Sequence, residues 1–532
     1  MMKQMLIVIG ILLIFGCADV SKENQLQTGC SGGSESTPEN EYISPAPTPS
    51  DTTAPTISST SPSSTTDISF SSNITITFSE SMDSASINTS NITLVDNSGN
   101  SVTGEVSYSS NVATFNPSSD LNIGTTYTIT VGTGVKDSAG NALASSSSIT
   151  FSPMWTQHLG TINQDYAYGI TTDSSGSIDV TGYTSGNFGT YVNAGTQDIF
   201  LAKYDSNGVR QWILQQGTIR SDRVREVTID SNGDVYVVGE TEGGLDGNTN
   251  AGNTDIFLVK YNTNGVRQWT KQFGTSSYDN GQSVAIDLSN NVYVSGYGPT
   301  ISKFDSNGNK IWNQQLDGSQ GSHGVDTDSN GNIYVAGTTS ASLDGNTSYG
   351  KADLFIVKYN SNGVKQWTKQ LGTSEIDYAY GLVTDANGNS FFTGYTYGSL
   401  DGNISAGGTD IFLVKYNSNG VRQWTRQHGS NLSERAYGIT ADSSGNIYVT
   451  GETGGSLDSN ANAGDIDVFV VKYNSNGVKQ WTKQLGTSNG ETAEDIATDS
   501  SGNIYVAVIG VTSTVMLTRV ASTVLDRKIL RL

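Results

Sequence analysis

The chain has 532 residues, too many for one ordinary domain, and 50 acidic against 28 basic residues give it a formal net charge of -22. Such a charge repels a phosphate backbone, and the sequence has no run of Lys or Arg, so nucleic acid is not an expected partner. Abundant Gly, Ser, Thr, Asn and Tyr favour strands over helices, which predicts an all-β protein. The only cysteines, Cys17 and Cys30, cannot supply a disulfide framework.

The N-terminus has the pattern of a targeting segment. Lys3 precedes an apolar run, Met5 to Phe15, which is long enough for a signal-peptide core but too short to span a bilayer as a helix. The run ends in Ile-Phe-Gly-Cys17, which resembles the lipobox of bacterial lipoproteins, although Phe15 departs from the usual residue before the glycine. The resemblance implies a signal peptide over residues 1–16 and lipidation of Cys17. The alternative is a plain secretory signal followed by a chance cysteine.

Residues 17–53 are predicted to be a disordered tether that begins with the lipidated cysteine. They contain no apolar period, and four prolines stand among Ser, Thr, Glu and Asn, a composition that cannot bury a core. Cys30 lies within this tether and is expected to be a free thiol. A lipid-anchored protein of the cell envelope, at the outer membrane or cell surface, is therefore the predicted location, with the membrane as one partner.

Residues 54–152 are predicted to form a β-sandwich. Short segments of alternating polarity recur between Ser, Asn and Gly turns, as in Ile74 to Phe78 and Tyr127 to Val131. The stretch Ile76 to Asp83 and the stretch Asp137 to Leu143 resemble the bacterial Ig-like domain of S-layer-type surface proteins. That resemblance implies a spacer or adhesion module without an active site, and Glu80 and Asp137 are interpreted as turn-capping residues.

Residues 153–532 consist of repeats. Seven tryptophans, 43 to 57 residues apart, mark seven units: Trp155, Trp212, Trp269, Trp312, Trp367, Trp424 and Trp481. Each unit reads as four strands in two hairpins, and its third strand is apolar on both faces, which predicts a seven-bladed β-propeller with tryptophans packed between blades. The motifs Gly-Asn-Ile-Tyr-Val, Asp-Ile-Phe-Leu-Val-Lys-Tyr and Asn-Ser-Asn-Gly-Val-Lys-Gln-Trp resemble the bacterial propeller repeat family SBBP. The resemblance implies an envelope context and no catalytic residues.

The ends of the repeat region predict how the ring closes. Trp155 lies in a strand that precedes the first complete repeat, whereas the seventh repeat supplies two strands and Val515 to Arg519 as its third. The N-terminal strand is therefore expected to complete the last blade. The alternative closing strand is Val524 to Leu530.

The sequence offers few catalytic or metal-binding patterns. His158, His323 and His428 fall in different repeats without the close spacing of metal ligands, so no histidine-based site and no cofactor is expected. A recurring Leu-Asp-Gly-Asn or Leu-Asp-Ser-Asn loop could bind Ca²⁺ through oxygen ligands, although its few carboxylates also fit plain turn chemistry. The candidate calcium ligands are Asp246, Asn248, Asp344, Asn346, Asp401, Asn403, Asp458 and Asn460.

The segments that lead into each repeat predict the ligand-binding face. They place aromatic and charged residues near the propeller axis, at the end of the blades that carries the longer connections. The candidates are Asp165, Tyr166, Tyr168, Arg223, Arg225, Tyr278, Asp377, Tyr378, Tyr380, Arg435 and Tyr437. The favoured function is a non-catalytic binding, adhesion or scaffold lipoprotein that presents this face to a protein or glycan. The alternative is a carboxylate-dependent glycan hydrolase or lyase, which would require inward-facing acids to converge with a raised pKa.

Overall fold

A computed structural model describes residues 51–62, 68–69, 73–119, 121, 125–151, 153–154, 156–297, 300–315, 319–510 and 515–520. The signal peptide, Cys17, Cys30, most of the tether, Trp155 and the alternative closing strand 524–530 lie outside these residues. The described elements are strands, together with three single-turn 3₁₀ helices at Leu245–Gly247, Leu400–Gly402 and Leu457–Ser459. In the described part of the chain, no helix is long and apolar enough to cross a membrane.

The first domain is a two-sheet structure built on period-two alternation. One sheet has the strand order β1-β3-β6-β5 and the other β4-β7-β8, while β2 and β9 form a short parallel pair. Ile74, Ile76 and Phe78 point into one core with Ile129 and Val131 of the opposite sheet. The strands are β1 (Ile57–Ser61), β2 (Ile68–Ser69), β3 (Ile74–Phe78), β4 (Ile92–Asp96), β5 (Gly104–Ser109), β6 (Val112–Pro117), β7 (Tyr127–Val131), β8 (Ser147–Phe151) and β9 (Pro153–Met154).

Seven four-stranded antiparallel sheets follow. Sheet 1 is β11 (Asp165–Thr172), β12 (Ile178–Thr184), β13 (Asp198–Tyr204) and β14 (Arg210–Gln216). Sheet 2 is β15 (Asp222–Ile229), β16 (Val235–Thr241), β17 (Asp255–Tyr261) and β18 (Arg267–Phe273). Sheet 3 is β19 (Asn280–Ile286), β20 (Val292–Tyr297), β21 (Thr300–Phe304) and β22 (Lys310–Gln315). Sheet 4 is β23 (Ser319–Thr327), β24 (Ile333–Thr339), β25 (Asp353–Tyr359) and β26 (Lys365–Leu371).

Sheets 5 to 7 complete the series. Sheet 5 is β27 (Asp377–Thr384), β28 (Ser390–Thr396), β29 (Asp410–Tyr416) and β30 (Arg422–His428). Sheet 6 is β31 (Glu434–Ala441), β32 (Ile447–Thr453), β33 (Asp467–Tyr473) and β34 (Lys479–Leu485). Sheet 7 is β35 (Glu491–Thr498), β36 (Ile504–Gly510), β37 (Val515–Val520) and, from before the first repeat, β10 (Thr156–Leu159).

The sheets pack in a closed ring, as a propeller requires. The first strand of each sheet contacts the first strand of the next, and β35 packs back against β11. Sheet 7 is closed by the N-terminal strand, because β10 pairs with β37 from Thr156 opposite Thr518 to Leu159 opposite Val515. The all-β class, the Ig-like domain with propeller-like repeats, and closure by the N-terminal strand are thus confirmed.

Trp212 shows how a tryptophan of the described repeats joins neighbouring sheets, as the repeat pattern predicts. The indole Nε1 of Trp212 donates to the carbonyl of Thr263 in the next sheet at 3.3 Å. Its ring covers Gly265, where a Cβ would lie 3.2 Å from the indole and where φ is +75°. A side chain larger than hydrogen would therefore meet both strain and a steric clash. In sheet 3, Asn290 takes the left-handed turn position at φ +60°, as expected for the residue that replaces glycine.

The two ends of the sheets differ. The turn face carries the tight hairpin turns, between the first and second strands and between the third and fourth. The loop face carries the connections between sheets and the longer loops between second and third strands. Sheets 3 and 7 are the exceptions, since only residues 298–299 separate β20 from β21 and only residues 511–514 separate β36 from β37.

Candidate functional site

The innermost strands place one side chain from every sheet around the axis. Each of these residues lies in a β-bulge, where the first strand gains a residue relative to its partner. A bulge redirects a side chain and is common next to binding sites. All seven side chains are half-buried. This axial ring consists of Tyr168, Arg225, Gln282, His323, Tyr380, Tyr437 and Glu494.

Contacts link members of the axial ring from neighbouring sheets. The ring centroid of Tyr380 lies 5.0 Å from that of His323 and 5.2 Å from that of Tyr437. The Arg225 guanidinium lies 5.1 Å from the centroid of Tyr168. Four predicted residues therefore come together. Gln282, His323 and Glu494 were missed, although they occupy the same position of the repeat.

Toward the loop face, a second layer pairs arginine with glutamate and tyrosine. Arg435 donates to Glu452 at 2.8 Å and lies 5.6 Å from the ring of Tyr395. Arg223 and Arg225 both contact Glu240, at 3.6 and 3.1 Å. Each arginine thus has an acidic partner, and Arg223 and Arg225 share one. Tyr166 and Tyr378 complete this layer through rings 5.0 and 5.2 Å from Tyr183 and Tyr395.

Two of the predicted ligand-binding residues, Asp165 and Asp377, lie outside the axial ring and the second layer. Asp165 and Asp377 are fully buried at the start of their strands. Each carboxylate accepts a 2.6 Å hydrogen bond from a backbone N–H four residues earlier, of Thr161 and Thr373 respectively. Both carboxylates therefore shape the connection between sheets. Tyr278 lies on such a connection and is exposed.

Acidic side chains lie next to the axial ring and tie neighbouring inner strands together. Glu226 accepts from the N–H of Val284 at 2.6 Å, Asp326 from Thr384 at 2.6 Å and Asp495 from Ile170 at 2.9 Å. The second carboxylate oxygens of Asp326 and Asp495 accept from backbone amides of their own strands. These three carboxylates therefore hold the inner strands of neighbouring sheets together.

The surroundings of these three acidic side chains, and of Glu494, raise their pKa values. Desolvation, together with the carboxylate of Asp495, raises the pKa of Glu226 to about 8. Desolvation raises the pKa values of Asp326 and Asp495 to about 7. Desolvation and the nearby Glu452 also raise the pKa of Glu494 to about 7. Inward-facing acids with raised pKa values thus converge, which is the property required by the hydrolase alternative, but backbone amides already occupy three of the four carboxylates.

His323 is a neutral member of the axial ring. Desolvation and the charge of Arg225 lower its pKa to about 4. Its Nε2 lies 3.2 Å from the hydroxyl of Tyr297, and its buried Nδ1 has no hydrogen-bond partner among the described residues. The neutral imidazole therefore packs beside the rings of Tyr297 and Tyr380.

The loops predicted to bind Ca²⁺ hold ion pairs instead. Asp344 pairs with Lys365 at 2.6 Å. The equivalent aspartates 246, 401 and 458 pair with Arg267, Arg422 and Lys479 of their own sheets. The amides of Asn248, Asn346, Asn403 and Asn460 donate to the carbonyl three residues earlier, with N–O distances of 2.7 to 2.8 Å. A basic side chain at each carboxylate opposes cation binding, so the structure does not support calcium in these loops.

The three histidines do not come together; His428 instead lies 3.2 Å from Asp458. In the Ig-like domain, ligand atoms of Glu80 and Asp137 lie within 4.8 Å of each other. The Asp137 carboxylate accepts from the amides of Ala139 at 2.9 Å and Asn141 at 2.8 Å, which agrees with turn capping.

Two family models match the chain. Residues 51–153 match a bacterial Ig-like domain. A beta-propeller repeat matches six segments: 211–246, 268–298, 311–344, 366–401, 423–458 and 480–507.

Curated relatives are distant and much longer. An uncharacterized WD repeat-containing protein, L264, of Acanthamoeba polyphaga mimivirus is 24% identical over 437 residues, which cover 66% of this chain and 31% of that protein. Regulatory protein FlaEY of Caulobacter vibrioides is 23% identical over 216 residues, which cover 36% of this chain and 23% of that protein. The chain thus spans less than a third of either relative.

Among solved structures, a streptogramin B lyase aligns over 69% of this chain and 97% of its own, with a TM-score of 0.41 and 14% identity. The WD40 β-propeller domain of Doa1 aligns over 68% and 95%, with a TM-score of 0.44 and 13% identity. On its family matches and its sheets, this chain is a β-propeller repeat protein with a bacterial Ig-like domain ahead of the repeats.

Proposed function

We propose that the chain is a non-catalytic binding protein of the cell envelope, which holds the loop face of its propeller toward a protein partner. The observation that carries the proposal is the set of exposed apolar side chains on the connections between sheets. Ile162 is 100% exposed, Ile219 85%, Tyr278 72% and Leu432 50%. Apolar side chains at this exposure, around a centre rich in Tyr and Arg, are typical of protein interfaces.

A protein partner fits this surface better than a glycan. Tyr168 and Tyr183 pack with ring centroids 5.5 Å apart, and Tyr166 lies against the same Tyr183 ring. Their faces are therefore partly covered and less available to stack on a sugar. The apolar ends of Ile162 and Ile219 are open to contact. A WD repeat-containing protein among the relatives also supports an interaction scaffold.

The envelope location rests on the N-terminal sequence. The apolar run ending in Cys17 resembles a lipoprotein signal, and the following polar segment would let the two domains stand away from the membrane. In this arrangement the Ig-like domain is a spacer.

Matched surface variants test the proposed face. The loop-face variant is Ile162→Ser/Ile219→Ser/Leu432→Ser. The control is Val209→Ser/Val266→Ser/Val364→Ser on the turn face, where the three valines are 56 to 57% exposed. A fragment from residue 54 onward is used in pull-downs from an envelope extract and on a glycan array.

We expect the loop-face variant alone to lose the protein captured by the wild type. Loss with the turn-face variant alone would contradict the proposal. If the wild type binds a glycan and the loop-face variant still binds it, the binding site lies outside the three substituted positions of the loop face.

A further inference from the structure

Pairs of acidic residues lie side by side where neighbouring sheets meet. In five places, the residue before the third strand of one sheet forms a parallel bridge with a residue one or two positions before the first strand of the next, as Thr254 does with Tyr278. The residue that follows each bridging residue is acidic. These junction pairs are Asp198 with Asp222, Asp255 with Asp279, Asp353 with Asp377, Asp410 with Glu434, and Asp467 with Glu491.

The junction pairs are buried without a cationic partner. All ten side chains are at most 5% exposed. Among the described residues, no Lys, Arg or His forms an ion pair with any of them. Burial of an ionised carboxylate is strongly unfavourable unless an opposite charge or enough hydrogen bonds compensate it. Each of the five buried pairs of acidic side chains therefore needs either a proton or a cation between its carboxylates.

Hydrogen bonds leave the same oxygen atom unpaired at every junction. In sheet 2, Oδ2 of Asp255 accepts from the amide of Ala251 at 2.8 Å and from Gln272 at 3.0 Å. Among the described residues, Oδ1 of Asp255 has no hydrogen-bond partner, and the same holds for Oδ1 of Asp198, Asp353, Asp410 and Asp467. Buried polar atoms without a partner are rare, so five equivalent ones require an explanation common to all five junctions.

The unpaired oxygen approaches the neighbouring carboxylate over a glycine. A Cβ added to Gly274 would lie 2.4 Å from Oδ1 of Asp255 and 3.1 Å from Oδ2 of Asp279. At Gly429 the corresponding distances are 2.1 Å to Oδ1 of Asp410 and 2.9 Å to Oε2 of Glu434. The two acidic side chains thus converge on one region, and only a glycine permits it.

We propose that each junction pair binds a hard divalent cation, which bridges the unpaired Oδ1 and the carboxylate of the next sheet. The surrounding polar groups supply oxygen ligands, since the hydroxyls of Thr275 and Thr218 contact Asp279 and Asp222 at 2.8 and 2.9 Å. Carboxylate and hydroxyl oxygens suit Ca²⁺ or Mg²⁺. One divalent ion would neutralise each pair and join two sheets. The third strands of sheets 3 and 7 begin at Thr300 and Val515 without an acid, so the described repeats offer five such sites.

Ca²⁺ binding to the full-length protein in detergent tests this proposal, which does not depend on the proposed function. Protein stripped with EDTA is dialysed against ⁴⁵Ca²⁺ in moderate salt at pH 7.5, and thermal unfolding is followed with and without Ca²⁺. We expect about five ions per chain, one at each junction. We also expect a higher Tm with Ca²⁺ than without it. Asp255→Asn should bind one ion fewer.

A control lies in the same sheet. Asp246→Asn removes a carboxylate that already pairs with Arg267 and should leave the stoichiometry unchanged. If Asp255→Asn does not fold, Asp410→Asn tests another junction. The number of ions bound by the wild-type protein tests the proposal without any variant. The proposal would be overturned if the wild-type protein binds no Ca²⁺ and has the same Tm in EDTA as in Ca²⁺. In that case a shared proton, and not a cation, would lie between the two carboxylates of each pair. An unchanged stoichiometry in Asp255→Asn would also overturn the proposal.

Discussion

The backbone N–H of Ile170 donates to the carboxylate of Asp495 at 2.9 Å, which joins the inner strand of sheet 1 to that of sheet 7. The same carboxylate accepts from the amide of Ile496 at 2.8 Å. Asp495→Ala would leave both amides without this acceptor, and an unsatisfied buried donor costs about 1–3 kcal/mol. We therefore expect a clear fall in the free energy of unfolding, measured with urea. Glu375→Ala, which removes an exposed ion pair with Lys351, should cost less than about 1 kcal/mol.

Stability should rise as the pH falls from about 8 toward 5. The folded-state pKa of Glu226 is about 8, against 4.5 for an ordinary Glu, so the folded state binds its proton at a pH where the unfolded state has lost it. Asp326, Glu494 and Asp495, whose pKa values are about 7, also stabilise the folded state as the pH falls. Because the unfolded state binds fewer protons over this range, the free energy of unfolding decreases with pH. Thermal melting at pH 6 and pH 8 measures the effect, and Glu226→Gln should flatten it. An equal slope in that variant would refute the assignment.

Ring closure makes the N-terminal strand important for stability. Leu159 of β10 is buried with Val515 and Leu517 of the last strand. Leu159→Ala should therefore lower the free energy of unfolding by about 2–5 kcal/mol. His158→Ala, at the exposed neighbouring position, should change it by less than about 0.5 kcal/mol. Similar values for both variants would show that β10 does not close the ring. Trp155→Ala, outside the described residues, stays a prediction of about 3 to 5 kcal/mol.

The lipid anchor is tested at Cys17. If Gly16-Cys17 is processed as in lipoproteins, the mature chain begins at a modified cysteine and partitions into detergent. Cys17→Ala should release the protein into the soluble fraction, whereas Cys30→Ala should leave it on the membrane. Fractionation and N-terminal mass spectrometry measure both results. Equal membrane association of Cys17→Ala would remove the anchoring claim.

Local patterns predicted most of the fold. Gly265 and Trp212 belong to a spacing that recurs in each repeat, and Asn290 replaces glycine where a left-handed turn is needed, so both could be interpreted from sequence alone. The strand from before the first repeat was identified because its tryptophan matched those of fourth strands. These features depend on neighbours in the chain or on the repeat period.

The candidate site was harder to predict because its contacts are spatial. Asp377 and Tyr378 are adjacent and equally polar, but one is buried in a turn while the other contacts Tyr395. Adjacent residues of a strand point to opposite sides, and the bulge after Ala379 changes this alternation in a way that the sequence does not mark. The pairing of Asp344 with Lys365 likewise joins residues on different strands, so the loop alone resembled a cation site. Alignment of the repeats by their strands could have found His323 and Glu494.

Tyr380 is the aromatic residue of the axial ring with the most ring contacts, to His323, Tyr437 and Tyr395 at 5.0, 5.2 and 5.8 Å. Tyr380→Ala would remove one wall of the ring, and loss of a central aromatic side chain commonly weakens a protein complex by about 2 kcal/mol or more. We expect at least a tenfold loss of affinity for the partner recovered with the wild type, measured by biolayer interferometry. Tyr349→Ala, an exposed tyrosine on a more peripheral loop, is the matched control and should bind within about twofold of the wild type. Circular dichroism must show that both variants keep their strand content. Unchanged affinity in folded Tyr380→Ala would place binding away from the axis.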